Sequence, residues 1–157
     1  MPHEPTASPG PAWYDRDMHA RHVAAVAVLI LHEGRVLALR RSVDKDAAPG
    51  VWEALSGRLE AGEEPHAAAV REAREESGYQ VAVEPRPWTA YAADRAGEPM
   101  LVVVYRAVPV AGTLTLSHEH DAHAWLDADG FAQRSPLAAL AEAVRTALAA
   151  PPPVGPH

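Results

Sequence analysis

One segment limits what this chain can fold into more than any other part of the sequence: residues 57–79, GRLEAGEEPHAAAVREAREESGY. Pro65 is suited to start a helix, because the N–H that proline lacks would have no partner in the first turn. Gly78 is typical of the residue that follows a helix. The residues between them are mostly alanine, arginine and glutamate, which are strong helix formers. The sequence therefore predicts a helix that begins at Pro65 and ends before Gly78.

The predicted helix carries three glutamates on one face. Glu72, Glu75 and Glu76 are spaced at i, i+3 and i+4, so their carboxylates project from the same side. Like charges in this arrangement repel each other, and a cation among them would relieve the repulsion. Magnesium and manganese prefer oxygen ligands of this kind, completed by water and substrate phosphates. The spacing therefore predicts a Mg²⁺ or Mn²⁺ site.

An arginine lies within reach of the same face. Arg71 stands four residues before Glu75 and eight after Glu63, so it can join the helix to the preceding loop, and we interpret it as a positioning residue. The alternative is a solvated helix face on which Arg71 and Arg74 are ordinary ion-pair partners. That alternative requires neither Glu63 nor the glycines at both ends of the segment.

The segment resembles the signature of the Nudix hydrolase family, which reads G, five residues, E, seven residues, and then R-E-apolar-x-E-E-x-G-apolar. The resemblance implies a loop–helix–loop that binds magnesium or manganese. It implies cleavage of a diphosphate bond in a nucleoside diphosphate linked to another group, by water attack on phosphorus. It also assigns the matching residues, with metal ligands at Glu72, Glu75 and Glu76 and structural positions at Gly57, Glu63 and Gly78.

Two positions depart from the usual family pattern. The glycine pair at the start of the signature is Ser56-Gly57 here, and the apolar residue after Glu72 is only Ala73. Neither change removes a carboxylate. In the family the residue at the Ser56 position can lend a backbone carbonyl to the metal, which serine also supplies if its dihedral angles fit.

The resemblance extends over residues 22–149 and implies the Nudix fold, an α/β/α sandwich around a mixed β-sheet. The residues point the same way, because apolar runs alternate with two main helical segments. Residues 23–31 are almost entirely apolar, as in a buried central strand, and Gly34 supplies the turn into a strand at 36–41. Further strands are predicted at 49–57, 86–93, 100–108 and 123–126, with a hairpin connection at DRAGEP.

A last helix is predicted near the end of the domain. Ser135 and Pro136 mark its start, as N-cap and first helical residue. An apolar stripe follows and should pack against the sheet: Leu137, Leu140, Val144 and Leu148.

A histidine-rich stretch, HEHDAH, precedes the last predicted strand. It resembles the late Nudix segment in which a glutamate ahead of a tryptophan-containing strand acts as an extra metal ligand or as the base, and Glu119 is the matching residue. An alternative is a transition-metal cluster, because residues two apart share a face of a strand. No cysteine or HExxH pattern supports a zinc site there. The cluster would comprise His118, His120 and His123 with Glu119 and Asp121.

Three residues outside the signature are candidate substrate contacts: Arg40, Arg41 and Trp52. Solvent exposure or core packing would explain each of them equally well, and for Trp52 stacking on a base competes with packing in the core. The identity of the nucleoside diphosphate derivative stays open, because the base or sugar pocket lies on variable loops. Nucleoside triphosphates and ADP-ribose-like compounds both remain.

Composition sets the outer bounds. The 157 residues suffice for one domain, expected at 21–150, between a flexible proline-rich arm at 1–20 and a flexible tail at 151–157. A formal charge of −7 argues against nonspecific nucleic-acid binding, and no apolar run is long enough to span a bilayer. Without cysteine or a secretory signal, a cytoplasmic location is expected. Exposed β-edges and the extended arm make a homodimer reasonable.

Two other functions fit a Nudix-like chain. A catalytically silent domain that senses a nucleotide would tend to lose carboxylates of the signature, and none is lost here. A Nudix-like isomerase acting on an isoprenoid diphosphate commonly needs a cysteine, which this chain lacks. The sequence therefore favours a metal-dependent hydrolase, in which Glu119 or Glu72 takes a proton from the attacking water.

Overall fold

The structure, a computed structural model, describes residues 21–45 and 47–155. The arm at 1–20, expected to be flexible, lies outside the described residues, as do the last two residues of the expected tail. Strands and helices follow one another in this order: β1 (Val23–His32), β2 (Arg35–Arg41), β3 (Trp52–Glu53), β4 (Leu55–Arg58), α1 (Pro65–Ser77), β5 (Gln80–Val83), β6 (Thr89–Arg95), β7 (Glu98–Ala111), β8 (His120–Leu126), α2 (Ala128–Arg134) and α3 (Ala138–Ala149).

The eight strands of the described chain form one mixed sheet around β1. β1 runs parallel to β7 and antiparallel to β2 and β4. β7 in turn pairs with β5 and β6, and β2 pairs with β3 and β8. A strand with a parallel neighbour and helices over both faces has no solvated side, which explains why nearly all of β1 is apolar.

The two faces of β1 enter two separate cores, because successive side chains of a strand point to opposite faces. Leu29 packs in one core with Phe131 of α2 and Val144 of α3. The next residue, Ile30, packs in the other core with Ala73 of α1. Helices therefore cover both sides of the sheet, and the predicted α/β/α sandwich is confirmed. No helix in the described part of the chain is long and apolar enough to cross a membrane.

The predicted strands are present, but several have different ends. β6 starts at Thr89 instead of residue 86, beyond Pro87, which has no N–H for the strand ladder. β8 starts at His120 instead of residue 123, the stretch 49–57 divides into β3 and β4, and β5 was not predicted. The hairpin between β6 and β7 turns at Ala96 and Gly97, both with positive φ.

The start of the last helix was predicted wrongly. α3 begins at Ala138 with Leu137 as its N-cap, and Ser135 is instead the residue that ends α2. The Ser135 hydroxyl donates a hydrogen bond to the backbone carbonyl of Trp52 (2.7 Å). Its side chain therefore anchors the α2–α3 loop to β3 and does not cap a helix. Of the predicted apolar stripe, Val144 is fully buried, whereas Leu137 is exposed.

α2 itself was not predicted, although the sequence contains its start signal. The Asp127 carboxylate accepts a hydrogen bond from the Gly130 N–H (2.7 Å), as an N-cap residue should. Gly130 lies inside the helix and lowers its intrinsic helix propensity, which obscures the pattern.

Two residues of the C-terminal segment that was expected to be a flexible tail contact the domain. Arg106 Nη1 donates to the carbonyl of Pro151 (2.8 Å), and Pro153 is buried. Arg106 is itself buried and forms two hydrogen bonds with Glu84, at 2.5 and 3.0 Å. Its guanidinium lies 4.4 Å from the ring centroid of Trp88.

Replacing Arg106 should destabilise the domain because it leaves Glu84 without its partner and releases the C-terminal segment. We expect Arg106→Ala to lower the free energy of unfolding by about 2–4 kcal/mol, measured by urea denaturation. Arg145→Ala is the matched control: its pair with Glu142 is 60% exposed on both sides and should contribute less than about 1 kcal/mol. Equal losses in the two variants would contradict this account of the tail.

Candidate active site

Helix α1 displays the signature glutamates as the sequence predicts. It begins at Pro65, and Gly78 follows it in the left-handed conformation (φ 75°), with its N–H donating to the Arg74 carbonyl. Of the three glutamates, Glu72 and Glu76 are buried, whereas the Glu75 side chain is 58% exposed. The helix thus presents two carboxylates to the interior of the site and one to its rim.

Arg71 connects the glutamates of α1 to the preceding loop. Its Nε and Nη2 donate to the two oxygens of Glu63, both at 2.8 Å. Its Nη1 donates to Glu72 at 2.7 Å and to Glu75 at 3.3 Å. The hydrogen bonds from Arg71 and from the Glu60 N–H hold the pKa of Glu63 at about 2, so this carboxylate stays charged at any physiological pH.

Gly57 leaves room for a glutamate of α1. A Cβ atom added to Gly57 would lie 2.1 Å from the Glu72 Cδ and Oε1 atoms. Real Cβ contacts are never this short, so the Glu72 carboxylate can lie against β4 only because residue 57 has no side chain. This contact gives a physical reason for the glycine at the start of the signature.

Glu76 carries the most perturbed carboxyl group of the site. It accepts one hydrogen bond, from the backbone N–H of Ser56 (3.2 Å). Burial raises its pKa to about 9, and the negative charges of Glu72, Glu53 and Glu119 add to the shift. Burial also raises the pKa of Glu72, although the hydrogen bond from Arg71 opposes that shift. A group of carboxylates that raise one another's pKa would be stabilised in its charged form by a cation.

The carboxylates do not enclose a metal ion in the arrangement shown. Among residues 21–45 and 47–155, no three acidic, histidine or cysteine side chains converge into a metal cluster. Arg71 and the Ser56 N–H instead occupy oxygens of Glu72 and Glu76. The carboxylates nevertheless fit a hard divalent ion. Their donor atoms are all oxygen, Glu72 and Glu76 are buried, and no cationic side chain forms a hydrogen bond with Glu76.

The histidine-rich stretch separates instead of converging, so the transition-metal alternative is wrong for this arrangement. His118 lies beside the cavity, His120 is buried and bonded to Glu53, and His123 is exposed on β8. Asp121 pairs with Arg40 at 2.6 Å. Glu119 lines the same cavity as Glu72, Glu75 and Glu76. Its side chain is 41% exposed and lies 3.8 Å from Lys45 Nζ.

A cavity of about 740 Å³ opens beside α1, a volume within the range of small-ligand sites. Its lining combines an acidic group with an apolar group. The acidic residues are Glu53, Glu72, Glu75, Glu76, Asp94 and Glu119, and the apolar group includes Tyr91, Met100, Val102, Leu137 and Leu140. Three arginines also line the cavity: Arg41, Arg58 and Arg95. Such a lining suits a ligand that has both a cation-bridged anionic part and an apolar or aromatic part.

The three predicted substrate contacts have different surroundings. Arg41 lines the cavity, but its Nε donates to the Ala47 carbonyl and its Nη1 lies 3.4 Å from Glu53. Arg40 and Trp52 are not among the cavity-lining residues. Trp52 packs on the core beside α2, with the Arg134 guanidinium 5.2 Å from its ring centroid.

Sequence reasoning missed three residues of the cavity: Glu53, Tyr91 and Arg95. Glu53 could have been found, because it is a lone acid inside the apolar run VWEAL. Tyr91 and Arg95 lie on a strand whose exposed and half-buried residues alternate, and nothing in its sequence separates cavity residues from surface residues.

The NUDIX domain family matches residues 20–147 of this sequence. The chain belongs to that family. The resemblance drawn from the signature is thereby confirmed, and the loop–helix–loop around Glu72 and Glu76 is its Nudix box.

Known proteins agree with this assignment. The chain is 31% identical to the nucleoside triphosphatase NudI of Klebsiella pneumoniae over 119 residues, which cover 69% of this chain and 84% of that protein. It is 39% identical to an octanoyltransferase of Myxococcus xanthus over 123 residues, 74% of this chain, but spans only 33% of that protein. A solved MutT protein from Methanosarcina mazei superposes with a TM-score of 0.73 at 21% identity, covering 82% of this chain and 94% of that one.

The raised pKa of Glu76 predicts how the stability of the metal-free protein changes with pH. The folded state holds this proton to about pH 9, whereas the ordinary carboxyl pKa is 4.5. The folded state therefore binds more protons between these values, and stability should fall as pH rises from 4.5 to 9. Glu76→Gln removes this loss.

We expect the variant to be more stable than the parent above pH 6, by on the order of 1–3 kcal/mol near pH 8, and the two to converge in acid. Urea denaturation in a chelating buffer at several pH values measures the difference. Glu75→Gln, at an exposed position of the same helix, should show little of it. A pH-independent difference between Glu76→Gln and the parent would contradict the shift.

The contact between Gly57 and Glu72 predicts a selective defect in Gly57→Ala. The added Cβ must displace the Glu72 carboxylate, which is the end of a flexible side chain, so the fold should survive with a loss below about 2 kcal/mol. Affinity for Mn²⁺, measured by calorimetry, should fall at least about 10-fold. Unchanged affinity would remove Glu72 from the proposed ligands.

Proposed function

We propose that this Nudix domain is a divalent-metal-dependent pyrophosphohydrolase, which cleaves the diphosphate bond of a nucleoside diphosphate derivative by water attack on phosphorus. The observation that carries the proposal is the pair of buried carboxylates, Glu72 and Glu76, beside a ligand-sized cavity. Burial raises the pKa values of both, and repulsion from neighbouring carboxylates adds to each shift. A purely structural helix would gain nothing from burying two acids without a cation.

The residues that would hold Mg²⁺ or Mn²⁺ are Glu72, Glu75 and Glu76, with the backbone carbonyl of Ser56 and the Glu119 carboxylate as further donors. When bound, a divalent ion neutralises diphosphate charge and lowers the pKa of water. Glu63 and Gly78 have structural roles in this proposal, because one anchors Arg71 and the other ends α1.

Two carboxylates are candidates for accepting the proton of the attacking water. Glu119 lines the cavity with its side chain 41% exposed, and its nearest cation, Lys45 Nζ, lies 3.8 Å away. Glu72 is buried and already shares an oxygen with Arg71 at 2.7 Å. The freer oxygens of Glu119 favour it as the base, with Glu72 and Arg71 as the groups that hold the helix in place.

A nucleoside triphosphate is the favoured substrate over an ADP-ribose-like compound. The apolar lining, which includes Tyr91 and Met100, suits one base, and the acidic residues suit phosphates through a cation. The likeness to a nucleoside triphosphatase supports the same class. A cytoplasmic location and a homodimer remain part of the proposal.

A catalytically silent nucleotide sensor is the second candidate. It would keep the cavity and bind a nucleotide without turnover. The complete set of signature charges weighs against it, because a sensor has no need of Glu119 and Glu76 beside the same cavity.

Glu76→Gln separates the two candidates, since it removes one charge at constant size. Turnover should be measured with Mg²⁺ and then Mn²⁺ on nucleoside triphosphates, nucleotide sugars, ADP-ribose, dinucleoside polyphosphates and coenzyme A. Added inorganic pyrophosphatase converts the pyrophosphate released from triphosphates to phosphate, and added alkaline phosphatase frees phosphate from the monoester products of the other compounds. We expect metal-dependent turnover in the parent and a loss of about 100-fold or more in the variant. The control is Glu142→Gln, at an exposed position on α3 that does not line the cavity.

Addition of a chelator should abolish turnover in the parent and in Glu142→Gln alike. Near-normal turnover of Glu76→Gln would refute its place among the metal ligands. Nucleotide binding by a parent protein that turns over none of the compounds would instead favour the sensor.

A further inference from the structure

Glu53 and His120 form a buried polar pair that the reaction as described above does not use. His120 Nε2 lies 3.0 Å from Glu53 Oε1, and the two side chains are only 1% and 5% exposed. The residues are 67 positions apart in the chain, on β8 and β3, and both strands pair with β2. A polar pair this deep costs free energy to bury unless its partners are well placed, so its position calls for a reason.

The surroundings of the two ring nitrogens show which residue of the pair donates the hydrogen bond. His120 Nδ1 is buried and has no hydrogen-bond partner, so a proton on that atom would be an unpaired buried donor. His120 therefore donates a hydrogen bond from Nε2 to the Glu53 carboxylate, which is an acceptor. Since the donor is a rigid ring inside a strand, it holds the carboxylate in one orientation.

Glu53 is a lining residue of the cavity, although most of its side chain is covered. Its Oε1 accepts the hydrogen bond from His120 Nε2 and lies 3.4 Å from Arg41 Nη1. Its Oε2 lies 3.9 Å from Arg95 Nη2, beyond hydrogen-bonding distance. One oxygen is thus held by the protein, and the other retains capacity to accept.

The charge of Glu53 acts on both kinds of residue that line the cavity. Burial raises the pKa of Tyr91 to about 12, and the charge of Glu53 adds to that shift. The same charge also adds to the raised pKa of Glu76. Glu53 therefore stands within electrostatic reach of the aromatic residue proposed beside the base and of the carboxylates proposed for the metal.

We propose that His120 is a positioning residue that fixes Glu53 as the hydrogen-bond acceptor for an amino group of the substrate's nucleobase. This inference rests on the proposed function. An ionised carboxylate only accepts hydrogen bonds, so it pairs with an amino group and repels a carbonyl oxygen at the same position of a base. Nucleotides that carry the amino group should therefore be preferred over matched nucleotides that carry oxygen or hydrogen there.

Two nucleotide pairs test the preference: GTP against ITP, which differ only at the 2-amino group, and CTP against UTP, in which a carbonyl replaces the 4-amino group and N3 gains a proton. The parent should favour the amino-bearing member of at least one pair by about 10-fold or more in kcat/KM. His120→Ala should raise KM for that member several-fold, change kcat less, and reduce the preference. His120→Gln places an amide donor near the former Nε2 and should restore much of it. Glu53→Gln should remove the preference.

His123→Ala is the matched control, since it removes an exposed imidazole from the same strand. It should leave KM and the preference unchanged. A role in stability alone would give His120→Ala a lower melting temperature with the parent's KM values and preference, and that result would overturn the proposal. Equal kcat/KM for both members of both pairs in an active parent would overturn it as well.

Two readouts do not depend on turnover. The ¹⁵N chemical shifts of His120 in the metal-free protein should show a proton on Nε2, and a ring with its proton on Nδ1 alone would contradict the geometry. Calorimetry with α,β-methylene analogues of CTP, UTP, GTP and ITP should show the amino preference in the parent and its loss in His120→Ala. A parent that hydrolyses none of the natural nucleotides would refute the proposed function, while the analogue titrations would still decide the role of His120.

Discussion

The Arg71 guanidinium is the interaction on which the site depends, because it joins the loop after β4 to the acidic face of α1. It holds Glu63 in a two-point contact and shares its remaining nitrogen with Glu72 and Glu75. It also donates to the Arg58 carbonyl at 3.2 Å, which ties it to the end of β4. Without this one cation, three carboxylates would face each other with no counter-charge, and the loop would lose its anchor to the helix.

Arg71 does not balance all of the negative charge on the acidic face of α1. Arg71 compensates the charge of Glu63 and part of the charge of Glu72. Glu76 accepts a hydrogen bond only from a backbone N–H, and burial raises its pKa to about 9. In a structural helix such a group would be a defect, because it lowers stability at neutral pH. In a site that binds a divalent ion it has a use, since the same repulsion becomes attraction once the ion is present. The carboxylates that would bind the ion are thus the same ones that lower the stability of the metal-free protein.

Sequence reasoning succeeded where neighbours in the chain decide the structure, and failed where distant residues do. Helix α1 was predicted from Pro65 to the residue before Gly78 because its start, its end and its composition are all local. Ser135 looks like an N-cap in sequence, but its hydroxyl bonds to Trp52, 83 positions away. The Glu53–His120 pair likewise depends on the pairing of β3 and β8 with β2, and no local sequence pattern predicts it. The acidic face was visible from sequence, whereas the cavity lining was not.

Hydrolysis of the preferred nucleoside triphosphate in H₂¹⁸O with Mg²⁺, followed by mass spectrometry of the products, tests the central claim most directly. The account predicts a nucleoside monophosphate and pyrophosphate, one of which carries a single ¹⁸O, because water attacks phosphorus at the bond it breaks. The label should vanish with a chelator and in Glu76→Gln. Products without ¹⁸O, or the same yield of labelled product in chelator, would contradict a metal-dependent water attack at this site.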